Sequence, residues 1–220
     1  MNATSRIGIL GGSFDPVHWG HILLAREALR LADLDFVLLL VAKDPPHKMT
    51  QASPADRLRM ARLAAEGEAG IYACDLELKL PGKSYAVDTM RELKRHFPDA
   101  ELFYLLGSDV LATLPYWHGS EELVSLVKIL CVARQDIWGL EPEGILKMQE
   151  QQKIPVRIIR AHIPNISSTE IRSCLRKGLP VSPYVPAPVE KYILDNGLYR
   201  QHVTISEAGR KAADKPIPQK

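Results

Sequence analysis

The sequence predicts a doubly wound α/β fold, a mostly parallel sheet with helices on both faces. Two observations predict it. Apolar runs of strand length alternate along the chain with stretches of helical spacing. The run Phe36 to Val41 is apolar throughout rather than alternating, as strands buried on both faces are. A chain of 220 residues is long enough for one such domain with a sizeable core.

Ile7 to Leu10 reads as the first strand, ending at Gly11-Gly12. A loop over Ser13 to Val17 leads to a helix from about Trp19 to Leu31, with Ile22, Ala25, Leu29 and Ala32 at helical spacing. Phe36 to Val41 is six apolar residues, too short for a buried helix and right for a parallel strand. Ser53-Pro54 pairs a capping residue with proline at the first helical position, opening a helix to about Glu66. Ile71 to Leu78 reads as a strand, and Tyr85 to Phe97 as a helix with Val87, Met90, Leu93 and Phe97 on one face. Leu102 to Leu106 is a strand ending at Gly107, Glu121 to Val127 a short helix, and Ile129 to Ala133 and Val156 to Ala161 strands. Ser167 and Glu170 have capping-box spacing for a helix ending near Gly178. A last helix spans about Pro188 to Asn196 and stops at Gly197. A further helix is expected from Glu143, and a frayed tail after Arg200. One domain over 1–200 with a tail over 201–220 is the expected organisation.

Lysine and arginine number 28 and aspartate and glutamate 26, a net charge of +2. That balance speaks against a sequence-indifferent nucleic-acid binder, which needs a broad basic face. There is no apolar run long enough to span a membrane. Met1 to Arg6 is short and polar, unlike a secretory leader. The three cysteines, Cys74, Cys131 and Cys174, are too few and too scattered for a disulfide framework or a zinc cluster. A cytoplasmic protein is expected, either a monomer or a homo-oligomer.

In a doubly wound sheet, ligands bind at the carboxyl ends of strands near the point where strand order reverses. The loop after the first strand is the most informative such segment: Gly11-Gly12-Ser13-Phe14-Asp15-Pro16-Val17-His18-Trp19-Gly20-His21. The glycines permit close approach of a ligand. His18 and His21, three apart at a helix start, can face one ligand, with Gly20 clearing the space between them. The helix N-terminus adds free N–H groups and partial positive charge. Phosphate is the ligand this combination suits. Zinc would need a third ligand at usual spacing, and none follows. The loop matches neither the dinucleotide fingerprint nor the P-loop.

Gly11 to Pro16 together with His18-x-Gly20-His21 resembles the signature of the H-x-G-H nucleotidyltransferase superfamily, a Rossmann-like fold. Its second signature stands near the C-terminus as Ile166-Ser167-Ser168-Thr169-Glu170-Ile171-Arg172. Several other segments are similar to bacterial nicotinate-nucleotide adenylyltransferases. They are Pro45-Pro46-His47-Lys48, Ser84-Tyr85 ahead of Val87-Asp88-Thr89, Gly107-Ser108-Asp109, Trp117, and Gly197 to Arg200.

The resemblance implies adenylyl transfer from ATP to nicotinate mononucleotide with Mg2+, releasing pyrophosphate. His18, His21, Lys48 and Arg172 would be catalytic. Gly11, Gly12, Ser13, Phe14, Gly107, Asp109, Ile166, Ser168 and Thr169 would join the histidines and Arg172 around ATP. Ser13, Lys48, Tyr85, Ala86, Asp109, Trp117 and His118 would bind the acceptor, with the Trp117 indole on the pyridine ring. Ala86 stands where the family usually has threonine, which keeps a backbone N–H and loses a hydroxyl. The Mg2+ that the resemblance implies would be bound mainly through the ATP phosphates. Rival readings are transfer to nicotinamide mononucleotide or phosphopantetheine, cytidylyl transfer, and a non-catalytic nucleotide-binding regulator.

Overall fold

The structure is a computed structural model that describes residues 4–46, 48–111, 113–134 and 155–200, with backbone only for Ser108, Asp109 and Arg134. His47, the helix expected from Glu143 and the tail after Arg200 lie outside the described residues. Six parallel strands form one sheet in the order β3-β2-β1-β4-β5-β6. They are β1 (Arg6–Gly12), β2 (Phe36–Val41), β3 (Ile71–Cys74), β4 (Glu101–Gly107), β5 (Lys128–Arg134) and β6 (Val156–Ala161). Strand order reverses between β1 and β4, so the chain runs on from them toward opposite sheet edges and leaves a crevice at their carboxyl ends.

Side chains alternate between the two faces of each strand. On one face, Leu10, Val37, Leu39, Phe103 and Leu105 pack under α1 (Trp19–Ala32) and α2 (Pro54–Ala65). The same layer continues under α7 (Ser168–Arg176) and α8 (Ala187–Asp195). On the other, Ile7, Ile9, Leu102, Tyr104 and Ile129 pack under α4 (Ala86–His96) and α6 (Ser120–Leu126). Both faces are therefore covered, which is why a central strand such as β2 is apolar throughout.

The structure revises the sequence reading in four places. Gly11 and Gly12 continue β1, in register with Leu40 and Val41, rather than ending it. The strand expected over Ile71 to Leu78 stops at Cys74. Leu76–Lys79 forms a helical turn, α3, entered through Asp75 at φ −99°, and Lys79 pairs back to Asp75 at 2.8 Å. That i,i+4 ion pair supports a helical turn where alternation suggested extended chain. Between β4 and α6 lie α5 (Ser108–Leu111) and a 3₁₀ turn over Leu114–Tyr116. Finally, Ser167 caps α7 by accepting from the Thr169 N–H at 3.2 Å, two residues on, rather than from Glu170.

Candidate active site

The crevice between β1 and β4 opens into a cavity of about 190 Å³. Gly11, Gly12 and Ser13 line it from β1, Pro45, Pro46 and Lys48 from the loop after β2, and Ser84, Tyr85 and Ala86 from the start of α4. Trp117 and His118 close another side, and Glu77 and Tyr104 form part of the wall. Ser13, Lys48, Tyr85, Ala86, Trp117 and His118, all expected at the acceptor, therefore share one cavity. The Trp117 indole N–H donates to Thr113 Oγ1 at 3.0 Å, and its ring meets Tyr104 edge-on with centroids 6.0 Å apart. Those two contacts fix the ring plane. Tyr85 lies against His118 at 4.4 Å. Tyr85 is also the N-cap of α4 and provides no side-chain cap, so the helix opens at the cavity with its first turn unserved by a capping side chain. Ser84 Oγ accepts from the Lys43 and Asp44 N–H groups, joining the loop after β2 to the approach to α4. Lys48 is exposed at the cavity rim.

Beside the cavity, His18 caps α1 and is 3% exposed. Its ring stacks on that of His21, centroids 3.7 Å apart. The His18 backbone N–H donates to His21 Nδ1 at 3.2 Å. With Nδ1 accepting, the neutral His21 ring carries its proton on Nε2, which makes that atom a donor. Phe14, at φ 48° and 1% exposed, meets His21 edge-on. The glycines serve the chain's own side chains as much as any ligand. A Cβ on Gly11 would lie 2.6 Å from Tyr104 Oη, one on Gly12 3.0 Å from the Phe14 ring, and one on Gly20 3.0 Å from the His18 ring. Gly20 thus makes room for His18 itself rather than clearing a path for substrate.

The second signature docks onto the first. Arg172 Nη1 donates to the Asp15 carbonyl at 2.7 Å and lies 3.7 Å from its carboxylate, and Nη2 donates to Thr169 Oγ1 at 3.2 Å. Ser168 Oγ donates to the Pro16 carbonyl at 3.0 Å. Ile166 packs near Gly20. The Arg172 side chain is 10% exposed and partly committed to the loop, as is the Ser168 hydroxyl. Gly107 ends β4. Asp109 falls within α5, and its side chain lies outside the described residues.

Four residues around the site were not singled out from sequence. Asp15 accepts from the Gln51 and Ala52 N–H groups and the Tyr199 hydroxyl, all within 3.0 Å. It lies inside the quoted motif, so its position was visible and its partners were not. Arg57 is fully buried and donates to the carbonyls of Ser13, Ala42, Lys43 and Ala52, tying the loop after β1 to the loop after β2. Burial holds its guanidinium below the ordinary arginine value, with Asp15 acting the other way. Nothing in the sequence distinguishes it from a solvated helix arginine. Glu77 and Tyr104 were hidden by the misread strand and by an ordinary apolar run. Burial raises the titration of both, most strongly for the Tyr104 phenol. At Glu77 the hydroxyls of Ser84 and Thr89 and the charge of Arg57 oppose that rise without cancelling it.

A family model for cytidylyltransferase-like proteins matches residues 9–174. A probable nicotinate-nucleotide adenylyltransferase from Halalkalibacterium halodurans is 39% identical over 198 residues, 89% of this chain and 91% of that protein. One from Thermus thermophilus is 41% identical over 197 residues, 89% of this chain and all of that protein. Among solved structures, a Plasmodium falciparum nicotinic acid mononucleotide adenylyltransferase complexed with NaAD superposes with a TM-score of 0.75. At 22% identity, it covers 89% of this chain and 97% of that one, and it shows the shared fold. With the two histidines, the docked second signature and the tryptophan-walled cavity in one crevice, the chain belongs to the cytidylyltransferase-like family, among its nicotinate-nucleotide adenylyltransferases.

Proposed function

We infer that the protein transfers the adenylyl group of ATP to nicotinate mononucleotide, giving nicotinate adenine dinucleotide and pyrophosphate for NAD biosynthesis. The observation that carries this reading is the cavity. It sets an oriented indole, Trp117, beside the uncapped start of α4 and adjoins the stacked histidines. A flat heterocycle suits the indole face. A carboxylate suits the backbone N–H groups of a helix start, here at Ala86, with Tyr85 and His118 beside it.

The attacking phosphate is already an anion, so the reaction needs no catalytic base. It needs alignment and charge stabilisation. His21 offers Nε2–H to an oxygen on which charge grows, with the bond to its Nδ1 holding the ring in place. His18, Gly12, Ser13 and Phe14 shape that corner, and Lys48 brings a positive charge on a flexible stem from the rim. Arg172, Thr169 and Ser168 at the start of α7 suit the leaving pyrophosphate, Gly107 the adenosine, and Asp109 a ribose. Among the described residues, no three His, Cys, Asp or Glu side chains converge as a metal site. Mg2+, when it enters with ATP, would be held by the triphosphate and would lower its charge.

The reading takes residues 1–200 as one catalytic domain and places it in the cytoplasm. Among the described residues no helix is long and apolar enough to cross a membrane, and the three cysteines form no disulfide. The test is pyrophosphate release with ATP and Mg2+ and each pyridine mononucleotide in turn. A higher kcat/KM for nicotinate mononucleotide is expected. Preference for the amide, dependence on CTP, or ATP binding without release would each replace this reading with one of its rivals.

A further inference from the structure

Two polar groups in the cavity wall have bonding capacity that the described residues do not use. Tyr104 is 6% exposed, lines the cavity, and its hydroxyl makes no hydrogen bond to any described residue. The hydroxyl's position is fixed: it occupies the space a side chain on Gly11 would fill, and its ring braces Trp117. Glu77 is 7% exposed. Thr89 donates to its Oε1 at 2.9 Å, whereas Oε2 is buried with no hydrogen-bond partner among the described residues. The nearby Ser84 hydroxyl favours the charged carboxylate but is engaged by the Lys43 and Asp44 N–H groups and does not meet Oε2 in hydrogen-bonding geometry. Buried polar atoms are nearly always satisfied in folded proteins, so Glu77 Oε2 calls for a partner, and the Tyr104 hydroxyl offers a second contact in the same cavity. A second feature agrees. Ala42, Pro45, Pro46, Ala86 and Trp117 give the cavity apolar walls, and Tyr104 and Glu77 join Ser13, Lys48, Ser84, Tyr85 and His118 as the polar contacts open to an occupant.

We propose that Tyr104 and Glu77 are acceptor-binding residues, whose unserved oxygens hydrogen-bond the pyridine nucleotide from the cavity wall. This rests on the adenylyl-transfer reading and adds two residues to it. Tyr104 can donate to, or accept from, a ribose hydroxyl or the carboxyl group on the ring. Glu77 Oε2 can accept from a ribose hydroxyl. A site that hydrogen-bonds its substrate in this way loses binding when either partner is trimmed, because the survivor is left dry.

The experiment uses Tyr104→Phe and Glu77→Leu in the full chain, each close to the volume it replaces and without its polar end. Acceptor KM and ATP KM are measured separately, and binding of nicotinate and nicotinamide mononucleotides is titrated without ATP. Each variant is expected to weaken acceptor binding by about 3- to 10-fold, the scale of one lost hydrogen bond, with ATP KM within about 2-fold of the parent. Equal weakening for both mononucleotides assigns the contact to the ribose, and weakening for nicotinate alone assigns it to the carboxyl; both support the proposal. It is overturned if acceptor binding in either variant stays within about 2-fold of the parent, or if ATP KM rises in step. A parent protein that binds a pyridine mononucleotide but transfers nothing to it defeats the catalytic reading while leaving this comparison measurable. A parent that binds neither mononucleotide overturns both.

Discussion

Asp15 and Glu77 are both buried carboxyls beside one crevice, yet the chain treats them differently. Asp15 is fully enclosed and meets two backbone N–H groups, the Tyr199 hydroxyl and the Arg172 guanidinium. Glu77 is bonded by one threonine and leaves an oxygen unserved. A carboxylate held by the loop after β2, α7 and the segment after α8 locks a corner of the fold. A carboxyl with spare capacity in a cavity wall leaves a place for something else. The crevice therefore has one end locked by distant segments and another, at the Trp117 cavity, whose polar bonding among the described residues is incomplete.

The largest way to break that contrast is Asp15→Ala. It strands two N–H groups and leaves Arg172 without its charge partner, and is expected to cost about 3–5 kcal/mol of stability, read as a shift in the urea midpoint. Next comes His21→Ala. Losing one preorganised donor lowers kcat by about 10²–10³, and because His21 is only half-buried the thermal midpoint should move little. Near-parental turnover in that variant would remove the histidine from the mechanism.

Gly11→Ala probes the join between the two ends. The added methyl would meet Tyr104 Oη at 2.6 Å, and overpacking of this kind costs about 1–3 kcal/mol. Adding Tyr104→Phe should return most of that loss, so a double-mutant cycle reads the coupling directly. If the two costs simply add, Gly11 is small for a reason other than Tyr104.

The smallest effect concerns pH. The Glu77 carboxyl titrates above its ordinary value of 4.5 because burial disfavours its charged form. From that pH upward the unfolded chain releases the proton first, so this group's stabilising effect is complete below 4.5 and is lost as pH rises through its native value. Parental stability should therefore show a downward contribution across that window. Glu77→Gln should remove that slope, seen as convergence of the two urea midpoints toward low pH.

Much of the fold could be read from local pattern. The run Phe36 to Val41 and the Ser53-Pro54 cap stand in the structure as read, because each depends on neighbours in sequence. The Gly11 to His21 loop and Trp117 could be singled out for a similar reason: their residue types are unusual for a plain turn. Most of what escaped was decided by partners far along the chain; the turn at Leu76–Lys79 is the local exception. Leu76, Leu78 and Leu80 alternate as a strand would, yet the Asp75–Lys79 pair favours a helical turn that turns Glu77 inward. Arg57 looks like any helix surface charge until the loops after β1 and β2 close over it. The glycines showed that space was needed, but not that Tyr104, Phe14 and His18 would take it.

The hydrogen bond from Tyr199 to Asp15 spans 184 residues. A ribosome adds about 5–20 residues each second, so on the order of 10–40 s separates the two ends of that bond during synthesis. Throughout that interval the nascent phosphate loop has its histidines but lacks the tyrosine and arginine that later clamp it. Nucleotide affinity should therefore arise late in the life of the growing polypeptide, well after the first strand and its loop have emerged.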